Sequence, residues 1–203
     1  MFKKCIYTYL VLPAVLTTGC LSSAVAEEVN LYTARKEHLI RPLIDIFEND
    51  TGIKVNILTA KTKVLIKKIL DDGENSPADL LITVDAGNLH DAKLKNISQK
   101  IDSKLLNQLV PKNLRDTDGH WYGLSVRSRV IMYNPAAINP EEIINYENLA
   151  DDNLAGRVCI RSSSNIYNQS LLASLIFHNG DKAALDWAKG VVENFSREPK
   201  GND

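Results

Sequence analysis

Cysteine and aromatic residues are scarce in this sequence, with three cysteines and a 6% aromatic share. Two of the cysteines, Cys5 and Cys20, fall in the first 26 residues, so a chain processed after Ala26 keeps Cys159 alone and has no intramolecular disulfide available to it. There is no glycine-rich phosphate loop, no Ser-His-Asp spacing and no metal-hydrolase motif, which leaves a secreted α/β enzyme without its machinery. The four histidines, His38, His90, His120 and His178, are scattered along the chain rather than clustered. An excess of either charge is also missing, at 24 basic against 25 acidic residues. Without Lys3 and Lys4 the balance becomes 22 to 25, a net charge near −3 that supplies no basic field for nucleic acid or an anionic membrane. Internal repeats and low-complexity stretches are absent, which excludes solenoids and linker-rich chains.

What is present begins with an export signal. Lys3 and Lys4 precede an apolar run from Ile6 to Leu16, and Ala24-Val25-Ala26 precedes Glu27, the charge, core and cleavage order of a signal peptide over residues 1–26. The run is too short to span a bilayer comfortably. Gly19-Cys20 resembles the end of a lipobox, with Thr17 where leucine is usual, so lipid anchoring is the competing reading. At the other end, "FSREPKGND" follows a helical pattern complete near Phe195 and brings no closing apolar element, an ending that suits a loop inside a longer protein.

Between the ends, strand and helix patterns alternate. "VNLYTA" is a short strand; Ile40, Leu43, Ile44 and Phe47 form one helical stripe closed by Thr51-Gly52; "IKVNIL" is a second strand; "KTKVLIKKILDDG" is a second helix; and "ADLLITVD" is an apolar run suited to a strand covered on both sides. The order β-α-β-α-β predicts a mostly parallel sheet with helices on both faces. In such sheets the ligand crevice lies beyond the carboxyl ends of the strands, at Tyr32 to Glu37 and Asp85 to Asn88. Asp85 reads equally as the N-cap of the helix it precedes.

"WYGLSVRSRVIMYNP" predicts a long strand over Leu124 to Tyr133 that crosses between two lobes, dividing the mature chain into residues 27–124 and 125–203. Beyond it, Pro140 opens a helix, "GRVCIRS" reads as a strand with Cys159 as a small buried core residue, and "NQSLLASLIF" and "DKAALDWAKGVVENF" are helices. The fold class is α/β, with the second lobe incomplete.

Several strings taken together, "NLYTARKEHLIRPL", "SPADLLITVD", "DGHWYGLSVRSRVIMYN", "LAGRVCIRSSSNIYNQSLLASL" and "WAKGVVENFSREPKGND", resemble the ferric-iron-binding periplasmic proteins of ABC transporters. The resemblance runs from Val29 to the last residue. It implies a two-lobed type II periplasmic-binding-protein fold that closes on one Fe(III), works as a monomer in the periplasm, and hands the ion to a membrane permease without catalysis. Such proteins hold iron through tyrosine phenolates, one from the "SSSNIYNQS" segment, here Tyr167, and an adjacent pair farther along; this sequence contains no Tyr-Tyr dipeptide. Relatives place histidine, tyrosine or both where Lys36 and Glu37 stand, so the resemblance makes Glu37 and the neighbouring His38 the first-lobe ligand candidates. It also matches Arg127 to a position that holds a synergistic carbonate, with Arg129 equally available on the same stretch.

The chemistry agrees with that assignment. Ferric ion is a hard acceptor that favours oxygen donors, and a bound cation deprotonates a tyrosine whose free pKa is about 10. Ser162, Ser163, Ser164 and Asn165 fit as helix caps, and the N–H groups of that helix end fit an anion pocket beside the metal. By spacing alone Tyr167, four residues before Leu171 and eight before Leu175, also fits the apolar stripe of its own helix. A binder of another anion, such as phosphate or a carboxylate, is the alternative within the same fold.

Overall fold

β1 (Glu28–Thr33) lies between two parallel partners, β2 (Lys54–Thr59) and β3 (Leu80–Ile82), giving the strand order β2-β1-β3. The computed structural model describes residues 27–201, so the signal peptide, the lipobox-like Gly19-Cys20, and Asn202 and Asp203 lie outside the described residues. Being central, β1 carries the most protected side chains: Leu31 and Thr33 are fully buried and Tyr32 nearly so. α1 (Glu37–Thr51) connects β1 to β2 and presses Ile40 and Ile44 onto Leu31 and Val55. It ends at Gly52, whose φ of 73° is the left-handed conformation glycine adopts without a Cβ clash. Of the four-residue stripe, Leu43 and Phe47 remain 56% and 38% exposed, because the three-stranded sheet is narrower than the helix's apolar face.

α2 (Thr62–Asp72) buries Leu65 and Ile66 and leads into β3. Only three residues of "ADLLITVD" enter the ladder, and Leu80 is 47% exposed, so this strand forms an edge rather than the doubly covered strand its apolar run predicts. α3 (Ala86–Leu94) follows, then the short α4 (Lys104–Leu109) and a turn through residues 115–122 in which Arg115 pairs with Tyr122. Lys93 of α3 clamps that turn, donating to both oxygens of Asp116 at 2.9 and 3.0 Å and to Asp118 at 2.6 Å.

The predicted crossing strand is not one. Residues 124–133 enter no ladder, and Leu124, Val126, Val130 and Met132 are 70–89% exposed. An extended pattern becomes a strand only where another strand takes up its N–H and C=O groups, and none does so among the described residues. The helix predicted from Pro140 is likewise reduced to short 3₁₀ turns at Pro140–Glu142, Glu147–Ala150 and Asp152–Leu154. "GRVCIRS" makes isolated parallel bridges, Val158 with Phe195 and Arg161 with Lys200, not a regular strand. Cys159 is exposed, correcting its assignment to the core: its neighbour Val158 points into the packed side, so the alternation of an extended segment turns the thiol outward, where Sγ lies 2.9 Å from Ser196 Oγ.

A second apolar cluster gathers Ile143, Leu154, Val158 and Val191, with Trp187 and Phe195 packed against it. α6 (Asp181–Glu193) supplies its lid, and Gly190 lets the helix approach Ala150, whose Cβ stands 2.9 Å from where a glycine substituent would begin. Asn194, 2% exposed, ties the cluster together by donating from Nδ2 to the carbonyls of Leu149 and Asp151 at 3.0 and 2.8 Å. Asn194→Ala strips the Leu149 carbonyl of its side-chain donor while the Asp151 carbonyl keeps the Leu154 N–H at 2.9 Å, and is expected to lower unfolding free energy by about 1 kcal/mol in urea titrations.

Burial raises the Asp116 carboxyl's pKa, but the Lys93 ammonium and the N–H groups of His120 and Asp118 more than reverse this and hold it below the ordinary value. A depressed folded-state value means the stabilisation is fully present above the ordinary carboxylate pKa and is lost as pH falls through the depressed one. Asp116→Asn is therefore expected to flatten the acid limb of the stability–pH curve, read as urea midpoints from neutral pH downward; an acid limb as steep as the wild type's contradicts this.

Candidate functional site

β1 runs to β2 on one side and has β3 on the other, so the chain parts beyond Thr33 and Ile82 and leaves a crevice at that switch point. The crevice opens into a cleft of about 1530 Å³ lined by Arg35 and Thr83 to Ala86 from the sheet's carboxyl end, by residues 120–133, and by Arg161, Tyr167, Asn168 and Ser170. Its charged lining consists of five arginines (Arg35, Arg127, Arg129, Arg157 and Arg161) against Asp79 and Asp85. Such a lining attracts anions and anionic complexes of metals far better than a bare cation.

Tyr167 stands in the first turn of α5 (Ile166–Asn179) and is half-buried on the cleft wall. Asn165 caps the helix, its Oδ1 accepting the Tyr167 N–H at 3.0 Å, while the Asn165 carbonyl accepts from the N–H groups of Asn168 and Gln169. From within the helix, Asn168 Nδ2 donates to the Arg161 carbonyl and Gln169 Nε2 to the Ser163 carbonyl, binding the preceding loop to it. The serines do not act as caps. Ser162 Oγ accepts the Ser164 N–H at 3.3 Å and pairs with Ser164 Oγ at 3.0 Å, and Ser163 is exposed, so the three build their own turn. With the first-turn N–H groups so engaged, the arginines are the cleft's chief anion-binding groups.

The phenol ring has a guanidinium on its face: Arg129 Cζ lies 3.6 Å from the ring centroid and Arg161 Cζ 5.5 Å. Planar guanidinium groups stack in this way on aromatic faces. Arg127 is exposed and lines the same cleft, but it is Arg129 that meets Tyr167. Two buried donors, Arg161 Nε and Trp121 Nε1, have no acceptor in the protein, and both residues line the cleft. Sequence reasoning singled out neither Arg161 nor Trp121; a basic residue directly before the serine run was the only available signal for the first.

Glu37 and His38 are not brought to Tyr167. Both lie exposed in the first turn of α1, outside the residues lining the cleft, and Glu37 Oε1 is taken by Arg41 Nη2 one turn on at 2.6 Å. Arg35 reaches the cleft from that loop instead. No group of three or more His, Cys, Asp and Glu side chains suited to a metal occurs among the described residues. Asp85 caps α3, accepting the Gly87 N–H at 2.9 Å, and its Oδ1 also accepts from Ser170 Oγ of α5 at 2.7 Å.

A model of the bacterial extracellular solute-binding proteins matches residues 75–198. The chain belongs to that family. It is 49% identical over 177 residues to iron uptake protein A1 of Synechocystis sp., covering 87% of this chain and 49% of that protein. Among solved structures it superposes on the Trichodesmium IdiA/FutA protein in complex with iron and citrate, with TM-score 0.82, 49% identity, and 87% and 56% of the two chains covered. It superposes also on the ferric binding protein of Campylobacter jejuni, with TM-score 0.80, 42% identity, and coverage of 86% and 56%. The chain spans about half the length of the curated relatives it matches. The fold is thus the type II periplasmic-binding-protein architecture with a partial second lobe, and the relatives are named for binding and uptake, not for catalysis.

A stacked guanidinium stabilises by about 0.5–1 kcal/mol at a partly exposed site. Arg129→Gln is accordingly expected to lower unfolding free energy by that amount and Arg127→Gln to leave it unchanged; equal effects in parallel urea titrations contradict the stacking.

Proposed function

We propose that this polypeptide carries the first lobe and part of the second of a solute-binding protein that captures Fe(III) in the periplasm and delivers it to an ABC transporter permease, acting as a monomer and catalysing nothing. Residues 1–26 direct export, residues 27–124 form the first lobe, and the chain crosses to the second after Leu124. The observation that carries the reading is Tyr167: a half-buried phenol at a capped helix start, facing an arginine-rich cleft, with Arg129 across its ring. Ionised, its oxygen is a hard anionic donor suited to ferric ion. The surplus of arginines is suited to a small anion that binds with the metal, carbonate being one such, and Arg127, Arg129 and Arg161 are its candidate holders. Glu37 and His38 are left with at most a peripheral part, since Glu37 is already paired with Arg41.

Donor number sets the affinity. Of the four tyrosines that line the cleft, Tyr122 and Tyr146 spend their hydroxyls on the Ile101 and Arg129 carbonyls and Tyr133 is exposed, so Tyr167 is the candidate donor; one phenolate cannot surround ferric ion, and the sequence has no Tyr-Tyr dipeptide. The 203-residue chain is expected to bind iron weakly, losing it to citrate, whereas a fusion that adds the remaining half of the Trichodesmium relative is expected to bind it far more tightly. Titration with ferric nitrilotriacetate, followed by citrate competition, checks both. Tight, stoichiometric binding by the 203-residue chain alone would show that the donors are elsewhere.

A further inference from the structure

Asp85 is one of two non-glycine residues with positive φ among the described residues, at φ 69° and ψ 133°. That region is sparsely populated by residues with a Cβ, and such conformations persist where surrounding contacts hold them. The contacts here come from two helices. One carboxylate oxygen, Oδ1, accepts the Gly87 N–H in the first turn of α3 and the Ser170 hydroxyl of α5. Beside it the two helix starts touch: a Cβ on Gly87 would lie 3.1 Å from Ile166 Cδ1 and 3.6 Å from Ser170 Oγ. Ser170 follows Tyr167 by three residues, so the two side chains share a face of α5. The other polar ties of this helix start, from Asn165, Asn168 and Gln169, all lead back to residues 161–167. Asp85 alone of these ties it to the sheet's carboxyl end.

We propose that Asp85 is a positioning residue for Tyr167: its carboxylate, held in a strained turn after β3, pins Ser170 and so fixes where the first turn of α5 sets the phenol in the cleft. In this left-handed conformation one carboxylate oxygen reaches both donors at once, at 2.9 and 2.7 Å. Gly87 keeps this junction close, since a Cβ there would press at 3.1 Å on both Asp85 Oδ1 and Ile166 Cδ1. The inference rests on the reading of Tyr167 as an iron ligand, but the pinning itself is open to measurement without iron.

Amide hydrogen exchange of the iron-free 203-residue protein tests it. Ser170→Ala and Asp85→Asn are expected to speed exchange in the first two turns of α5 by at least about tenfold while α1 and α6 keep their wild-type rates, and Ser170→Thr, which retains the hydroxyl, is expected to stay within about twofold of wild type. Unchanged exchange in α5, or an equal rise in every helix, would overturn the proposal, the second by showing a general loss of stability. In the iron-binding fusion, loaded with ferric nitrilotriacetate, Ser170→Ala is expected to shift the phenolate-to-iron absorption band and Ser170→Thr to restore it. A band that does not respond, beside an α5 that does, would mean that the pin exists and Tyr167 is not the ligand it positions.

Discussion

The parting of the chain after β1 is the constraint on which the cleft depends. β1 is hydrogen-bonded to a strand on each side, so Thr33 is fully buried and the loops beyond β1 and β3 are delivered to one place. Were β3 paired on the far side of β2, the crevice would lie elsewhere and Arg35 and Asp85 would not face one wall. The same parting places Asp85 within reach of α5, a helix from the opposite end of the sequence.

The charge of the cleft is the basis of the proposed ligand. Arginine is always protonated and its fork suits oxyanions, so five of them around one space, two of them over the ring of Tyr167, favour a metal that arrives with or collects anionic oxygen. A cleft lined by carboxylates selects free divalent cations; this lining works against them. For the proposed ferric ligand, the bonds to oxygen donors would have to outweigh repulsion from the guanidinium groups, which is why an accompanying anion is part of the proposal.

What was legible in the sequence followed from local periodicity and capping. The βαβαβ order, the Gly52 stop, the Asp85 N-cap, the Asn165 cap and the two C-terminal helices are set within a few residues of themselves, and the structure has them where the pattern puts them. The failures are those of elements whose form depends on distant partners. Residues 124–133 alternate like a strand but have no ladder to join; "GRVCIRS" reaches only isolated bridges; and Cys159, apolar by its neighbours, faces outward. At the site, the choice of Arg129 over Arg127 at the ring is a matter of which way alternate side chains of an irregular segment point, which spacing does not settle. The loss of Glu37 to Arg41 is an i, i+4 pair visible in the sequence, and it ranks as a missed signal rather than an absent one.

The central claim is that the Tyr167 oxygen binds ferric ion. Resonance Raman spectroscopy of the iron-loaded fusion, excited in its visible band, tests this most directly, because phenolate modes are enhanced only for rings bonded to the metal. The account predicts that Tyr167→Phe removes part of those modes while the fold, read by far-UV circular dichroism, is kept. A Tyr167→Phe spectrum identical to that of the parent would contradict it and leave the ring as no more than the seat on which Arg129 stacks.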